Sequence, residues 1–307
     1  MKVLFISNHK KEYPSTICMA IEPVEYLQKI GIDASFLTEE EVRELGSDSV
    51  FKDLDIIVFV KACRISYLKK AHSKGIKTVW YADESLMTES ELMLKNKKYI
   101  DSIVSTCDAY TELCRELGFS SQYIEAVYHH HCNFSNEIVT FNKKVKNVGF
   151  VGMNDQLHRK DEFRSFLKNH DCNLIASQAG AAFKTDLFKV LRKTDLGIIF
   201  MEKDRVEGIG GIEKTWGDRM KYRSNTKIVN FISFGIPCVT VPYNSYTEVL
   251  KGKSMCCLTV NSFKDACDNL ELLIKNVQLR KTIRASCLHH RDDFHLTNTV
   301  KGFVNLF

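Results

Sequence analysis

The stretch Lys221–Glu248, KYRSNTKIVNFISFGIPCVTVPYNSYTE, carries the densest punctuation in the chain, and its reading governs the rest. Ser224 and Asn225 are good N-cap residues, and the apolar side chains of Ile228, Phe231, Ile232 and Phe234 then recur at helical spacing. Gly235 sits where a helix ends, and Pro237 prevents it from continuing. Cys238-Val-Thr-Val-Pro242 follows as a β-branched run suited to a buried parallel strand, and the polar Tyr243-Asn-Ser-Tyr-Thr-Glu248 opens another helix. A helix start that gathers Lys221, Arg223, Asn225 and Lys227 suits an anion. Its first N–H groups lack partners inside the helix, its dipole favours negative charge, and the cations add to both. The same charges would also serve as a solvated face, and other αβ units share this cadence.

A helix ending in Gly-x-Pro, a short strand and a loop leading to Glu248 resembles the donor-binding core of nucleotide-sugar glycosyltransferases of the GT-B fold. In many retaining members the segment runs E-A-M-A-x-G-x-P-V-V, and its Glu binds the donor ribose. Asn230 stands at that position here, so the paired-Glu signature is broken and the stereochemical course stays open. The resemblance implies an α/β chain of two Rossmann-like, doubly wound parallel-sheet domains with a cleft between them. It also implies sugar transfer from a nucleotide-sugar to an acceptor hydroxyl. Motifs carry it over the C-terminal part only. Over most of the chain it rests on element order.

Composition sets wide bounds. The chain has 307 residues, 44% hydrophobic and 26% charged, with a formal net charge of +5. That is the length of about two domains and the balance of a water-soluble protein. No apolar run approaches the ~20 residues that cross a bilayer, and Met1-Lys-Val-Leu-Phe-Ile-Ser leads into a strand without a signal-peptide cleavage site. The expected location is therefore cytoplasmic, with peripheral attachment at the inner face of a membrane left open. Eleven cysteines are scattered without a CxxC pair, which points to buried free thiols.

Strands alternate with helices along the chain. Lys2–Ser7, Ile32–Leu37, Asp55–Val60, Lys77–Ala82, Asp101–Thr106 and Gln122–Val127 read as strands of one parallel sheet. The pattern breaks at Tyr128-His-His-His-Cys-Asn133, and the aperiodic 133–146 reads as a linker. Alternation restarts at Asn147–Gly152 and continues through Cys172–Ala176, Leu196–Phe200, Cys238–Pro242 and Met255–Val260. The expected domains are 1–132 on the acceptor side and 146–290 on the donor side. In the family, a final helix such as 291–307 returns to the N-terminal domain.

Ligands of open parallel sheets bind at the carboxyl ends of the strands, which selects the loops to weigh. Gly152 ends a strand and would let backbone approach a diphosphate, with Arg159 as a neutralising cation. Glu207-Gly-Ile-Gly-Gly-Ile212 reads as a lid, a phosphate cradle or a flexible connection. Lys221, Arg223, Asn225 and Lys227 are the donor-diphosphate candidates. The resemblance adds Asn230, on the helical face of Lys227, and Glu248 as a ribose or sugar-hydroxyl ligand. His9 and Asp83, after the first and fourth strands, are candidates for the general base that inverting transfer needs, and a retaining course would not require them. His129, His130 and His131 read as cleft residues touching donor or acceptor, or as polar linker. Adjacent strand residues alternate faces and ligate one metal poorly, and the family generally needs none, so no metal and no cofactor is expected. The expected partners are the nucleotide-sugar and a saccharide or lipid-linked saccharide acceptor, with nucleic acid left open. Rival readings are a sugar-nucleotide epimerase of the same fold, a DNA-modifying glucosyltransferase and a non-catalytic two-domain binding protein.

Overall fold

The computed structural model describes residues 1–83, 86–152, 157–177, 183–202, 206–209, 212–215 and 224–307. Contacts divide the chain into two compact units. One comprises Met1–His129, Leu296–Phe307 and Ser224, and the other the remaining described residues from His130 to His295.

The first unit holds a six-stranded sheet of β1 (Lys2–Ser7), β2 (Asp33–Thr38), β3 (Ile56–Val60), β4 (Lys77–Tyr81), β5 (Ser102–Ser105) and β6 (Tyr123–Ala126), ordered β2-β1-β3-β4-β5-β6. Every neighbouring pair is parallel. The central strands are apolar on both sides because both faces are covered. One face of the sheet (Leu4, Ile57, Phe59, Trp80, Ile103) packs on Leu68, Tyr110 and Phe119. The other (Val3, Phe5, Val58, Tyr81, Val104) packs on Met19, Leu27 and the helix Leu296–Leu306. Phe303 of that helix stands edge-on to Phe5 and to Tyr81, each at 5.4 Å between centroids. Thr299 Oγ1 donates to the Tyr128 carbonyl at 2.9 Å, and Gly302 leaves room for Val127, whose Cγ2 would lie 2.7 Å from an added Cβ.

The second unit holds β7 (Asn147–Phe150), β8 (Asn173–Ala176), β9 (Leu196–Ile199), β12 (Cys238–Thr240) and β13 (Cys257–Thr259), ordered β13-β12-β9-β7-β8 and again all parallel. The chain thus has the α/β class expected of it, two doubly wound parallel sheets.

Two stretches differ from the sequence reading. Val206–Ile209 (β10) and Ile212–Thr215 (β11) pair antiparallel, so the expected glycine-rich lid or cradle has a hairpin on its flanks, while Gly210 and Gly211 lie outside the described residues. Residues 133–146 are no free linker but a strap of the second unit. Asn133 is fully buried and donates to the Glu137 and Ser233 carbonyls at 2.8 and 2.9 Å. Arg280, also buried, donates to the carbonyls of Asn142 and Lys143 as well as Leu273 and Ile274. Backbone polar groups satisfied this way need no periodic pattern in the sequence.

All eleven cysteines are free, eight of them buried. Among the described residues no helix is long and apolar enough to cross a membrane.

Candidate functional site

Each sheet reverses its strand order once near its first strand, between β1 and β3 in the first unit and between β7 and β9 in the second. Loops diverge from such a point and leave a crevice at the carboxyl edge.

In the second unit the described residues that follow β7, β8 and β9 lie along this edge. Gly152 takes φ +143°, open to glycine, and its N–H donates to Ser177 Oγ at 3.0 Å. Ser177 is fully buried and follows β8, so the turn after β7 is tied to the next strand. His158 is buried, and its Nδ1 accepts the Glu202 N–H at 2.8 Å. Arg159 holds a left-handed backbone at φ +53°. Its guanidinium pairs with Glu202 and lies 5.2 Å from the Phe263 ring centroid. The expected phosphate cation is therefore already matched by a carboxylate from the turn after β9. Tyr243, after β12, donates its hydroxyl to the Met201 carbonyl at 3.0 Å.

The helix that opened the sequence reading spans Thr226–Ser233. Asn225 is its N-cap and fully buried, and its side chain makes no capping bond to the helix. Lys227, in the first turn, is half-buried. Asn230 is turned to another use, for at 2% exposure its Oδ1 accepts the Cys132 N–H at 2.8 Å. A short amide on the buried face of this helix reaches the neighbouring backbone. Glu248 is half-buried on the helix Asn244–Val249 after β12. Lys221 and Arg223 lie outside the described residues.

In the first unit, His9 follows β1 and Asp83 follows β4, and the structure adds Lys61 immediately after β3. Lys61 Nζ lies 3.2 Å from Asp83 Oδ2, the two side chains 20% and 8% exposed. The His9 N–H donates to Ser7 Oγ at 3.1 Å, and its ring stacks on Tyr13 at 5.3 Å. Burial lowers the pKa of His9 below the usual histidine value, the Lys61 ammonium lowers it further, and the Asp83 carboxylate opposes both. The net effect favours the neutral imidazole, the form that can accept a proton. Tyr110 donates to the Asp83 carbonyl and fixes the chain there. Sequence reasoning weighed the ends of the first and fourth strands and passed over Lys61, which the same carboxyl-end rule selects.

The histidine run does not act as one group. His129 belongs to the first unit, and His130 and His131 to the second. All three are at most 2% exposed. His129 meets Tyr81 edge-on at 6.0 Å, His130 stacks on Phe134 at 5.8 Å, and His131 meets His295 at 5.9 Å. The three rings are buried and packed on aromatic neighbours. Among the described residues no set of three or more His, Cys, Asp or Glu side chains is arranged to hold a metal ion.

No sequence-family model matches the chain, and no curated protein sequence matches it. Solved structures do match over its whole length. HepE of Anabaena, in complex with UDP and glucose, aligns at TM-score 0.63 and 11% identity, covering 100% of this chain and 99% of that one. WaaB, a lipopolysaccharide outer core galactosyltransferase in its apo form, aligns at 0.62 and 13%, covering 99% and 98%. An α-glucosyltransferase in complex with UDP and a 13-mer DNA containing an HMU base aligns at 0.69 and 10%, covering 100% and 98%. This chain shares with these glycosyltransferases the GT-B fold of two Rossmann-like parallel-sheet units.

Proposed function

We propose that the protein transfers a sugar from a UDP-linked donor to an acceptor hydroxyl. The observation that carries this reading is the whole-length likeness to HepE and to an α-glucosyltransferase, both solved with UDP. The donor's diphosphate sits at the carboxyl edge of the second unit, near the Gly152 turn and the start of the helix Thr226–Ser233, where Lys227 and the sequence-assigned Lys221 and Arg223 supply positive charge. Glu248 binds a ribose or sugar hydroxyl. In the first unit His9, beside Asp83, takes the proton of the acceptor hydroxyl as its oxygen bonds to the anomeric carbon. The bond from that carbon to the diphosphate oxygen breaks, and the nucleoside diphosphate leaves with the electron pair. This role for His9 belongs to the inverting course, which NMR of the product anomer checks.

The acceptor is a saccharide or lipid-linked saccharide, as in polysaccharide assembly, made in the cytoplasm at or near the membrane's inner face. Neither metal nor cofactor takes part, so transfer persists in a chelator. A DNA acceptor is the second reading, carried by the neighbour bound to HMU-containing DNA.

The test is thermal-shift screening against UDP-, GDP-, dTDP- and CMP-linked sugars and their free nucleotides. Ligand-responsive pairs are then screened for nucleotide release with saccharide, lipid-linked and DNA acceptors. Stabilisation by UDP and a UDP-sugar, reduced in Lys227→Ala, is expected. A well-folded protein that responds to no nucleotide sinks the proposal.

A further inference from the structure

Lys61 occupies an unusual place for a lysine. It is the first residue past β3, where the strand order of the first sheet reverses, and its backbone is left-handed at φ +67°. Side-chain-bearing residues seldom adopt that region, and those that do cluster at functional sites. Two neighbours hold it there. The Lys61 N–H donates to the Tyr81 carbonyl at 2.9 Å, and its own carbonyl accepts the Trp80 indole Nε1–H at 2.6 Å. Trp80 is fully buried, so the anchor is rigid. The side chain ends at Asp83, 3.2 Å away, with little exposure on either partner.

Groups from three further elements face this point. His9 and Tyr13 come from the segment after β1, Cys18 and Glu22 from the helical segment that follows, and Tyr81 and Asp83 from the end of β4. Here a mobile lysine would swing between His9, Asp83 and water.

We propose that Lys61 is a positioning residue, held by its backbone so that its ammonium fixes the Asp83 carboxylate at the strand-end site that also carries His9, the base for the acceptor's proton. The role in transfer rests on the glycosyltransferase reading, and the coupling between the three side chains does not. The charges agree in sign, since Lys61 lowers the His9 pKa and Asp83 raises it. Deleting the ammonium leaves the carboxylate unopposed and moves His9 upward. A base must be unprotonated to act, so the acid limb of the rate profile moves upward with it.

The experiment titrates histidine ring carbons by NMR in the full chain for wild type, Lys61→Met, Lys61→Arg and Asp83→Asn, with His9→Gln assigning the signal. pH profiles of nucleotide release accompany it. In Lys61→Met the His9 titration and the acid limb of kcat move to higher pH together, with the donor KM within twofold of wild type. Lys61→Arg moves them less, and Asp83→Asn moves His9 the opposite way. An unmoved His9 signal in a Lys61→Met protein that still melts cooperatively overturns the proposal. Should Lys61→Met fail to fold, an unmoved signal in Asp83→Asn does so. A uniform activity loss across pH that Lys61→Arg fails to restore also overturns it, because that marks a purely structural lysine. A His9 that shifts as expected in a protein with no nucleotide-sugar turnover sinks the transfer reading and leaves the Lys61–His9 coupling standing.

Discussion

A proton added to His131 enters a site with no exposure to water and two other imidazoles beside it. Its Nδ1 accepts the Asn133 N–H at 3.1 Å, so the neutral ring carries its proton on Nε2, which has no partner among the described residues. Burial, first, and the neighbours His295 and His130 push its pKa down to about 4, against partial relief from a backbone hydrogen bond and from Asp292. The sign follows from the two end states. Above the unfolded value of about 6.5 both states are neutral and the full stability is present, whereas below it the unfolded chain gains a proton that the folded one refuses. Stability is then lost as pH falls from about 6.5 to about 4, by about 3 kcal/mol from this residue. Urea unfolding at about pH 7 and about pH 4.5 should show that loss, and His131→Asn should reduce it by roughly half or more. An undiminished loss in the variant would place the sensitivity elsewhere.

Among the elements, the sheet of the second unit depends on two close approaches. A Cβ on Gly149 of β7 would meet Thr194 Oγ1 at 2.0 Å, and one on Gly197 of β9 would meet Cys238 Cβ and Phe231 at 2.8 and 2.9 Å. Each Gly→Ala change should cost about 1–3 kcal/mol by overpacking, read as a lower denaturation midpoint at unchanged slope. Arg280 carries the opposite kind of dependence. Its guanidinium closes the last turn of the helix Phe263–Lys275 and binds the 142–143 strap, so Arg280→Met strands four carbonyls at about 3 kcal/mol or more. A Met variant as stable as wild type would show that water replaces the arginine.

These elements also show what the chain makes legible. Apolar runs such as Ile56–Val60, buried at every position, announce a parallel strand, and Gly235 with Pro237 announces the end of a helix. Val206–Ile209 and Ile212–Thr215 pair antiparallel on either side of Gly210-Gly211, a dipeptide that is itself a hairpin signal and that the reading as a phosphate cradle passed over. The 133–146 strap was hidden because side chains distant in sequence, Arg280 and Ser233 among them, satisfy its backbone. At the candidate site, His9 and Asp83 follow from strand ends alone, while Lys61 needed the left-handed turn and the Trp80 anchor to distinguish it from a surface lysine. Arg159 was legible as a cation but not as the partner of Glu202, from a different strand end.

For the whole molecule, the proposed donor supplies a further check. A ligand that binds only the folded state at about 100 times its Kd adds about 2.7 kcal/mol, worth several degrees in melting temperature for a unit of this size. The UDP-linked donor should deliver such a shift, and one equally large with every nucleotide diphosphate would argue for a generic anion site instead. Thiol accessibility offers an independent reading of the fold. No more than three cysteines (Cys18, Cys132 and Cys267, the partly exposed ones) should react in the native protein and all eleven after denaturation. Faster release of further thiols would contradict the buried placement of the other eight.

The helix Leu296–Leu306 fills the face of the first sheet over Phe5 and Tyr81, yet residues 130–295 lie between it and the rest of that unit. On a ribosome the first 129 residues therefore emerge with an apolar face uncovered, and at roughly 5–20 residues per second it stays so for on the order of ten seconds or more. The nascent chain is thus most exposed to chaperones and to misassociation while its second half is being made, and the unit begun first is completed last. A fragment of residues 1–129 should bind a hydrophobic dye and aggregate, and a peptide of residues 296–307 supplied in trans should suppress both.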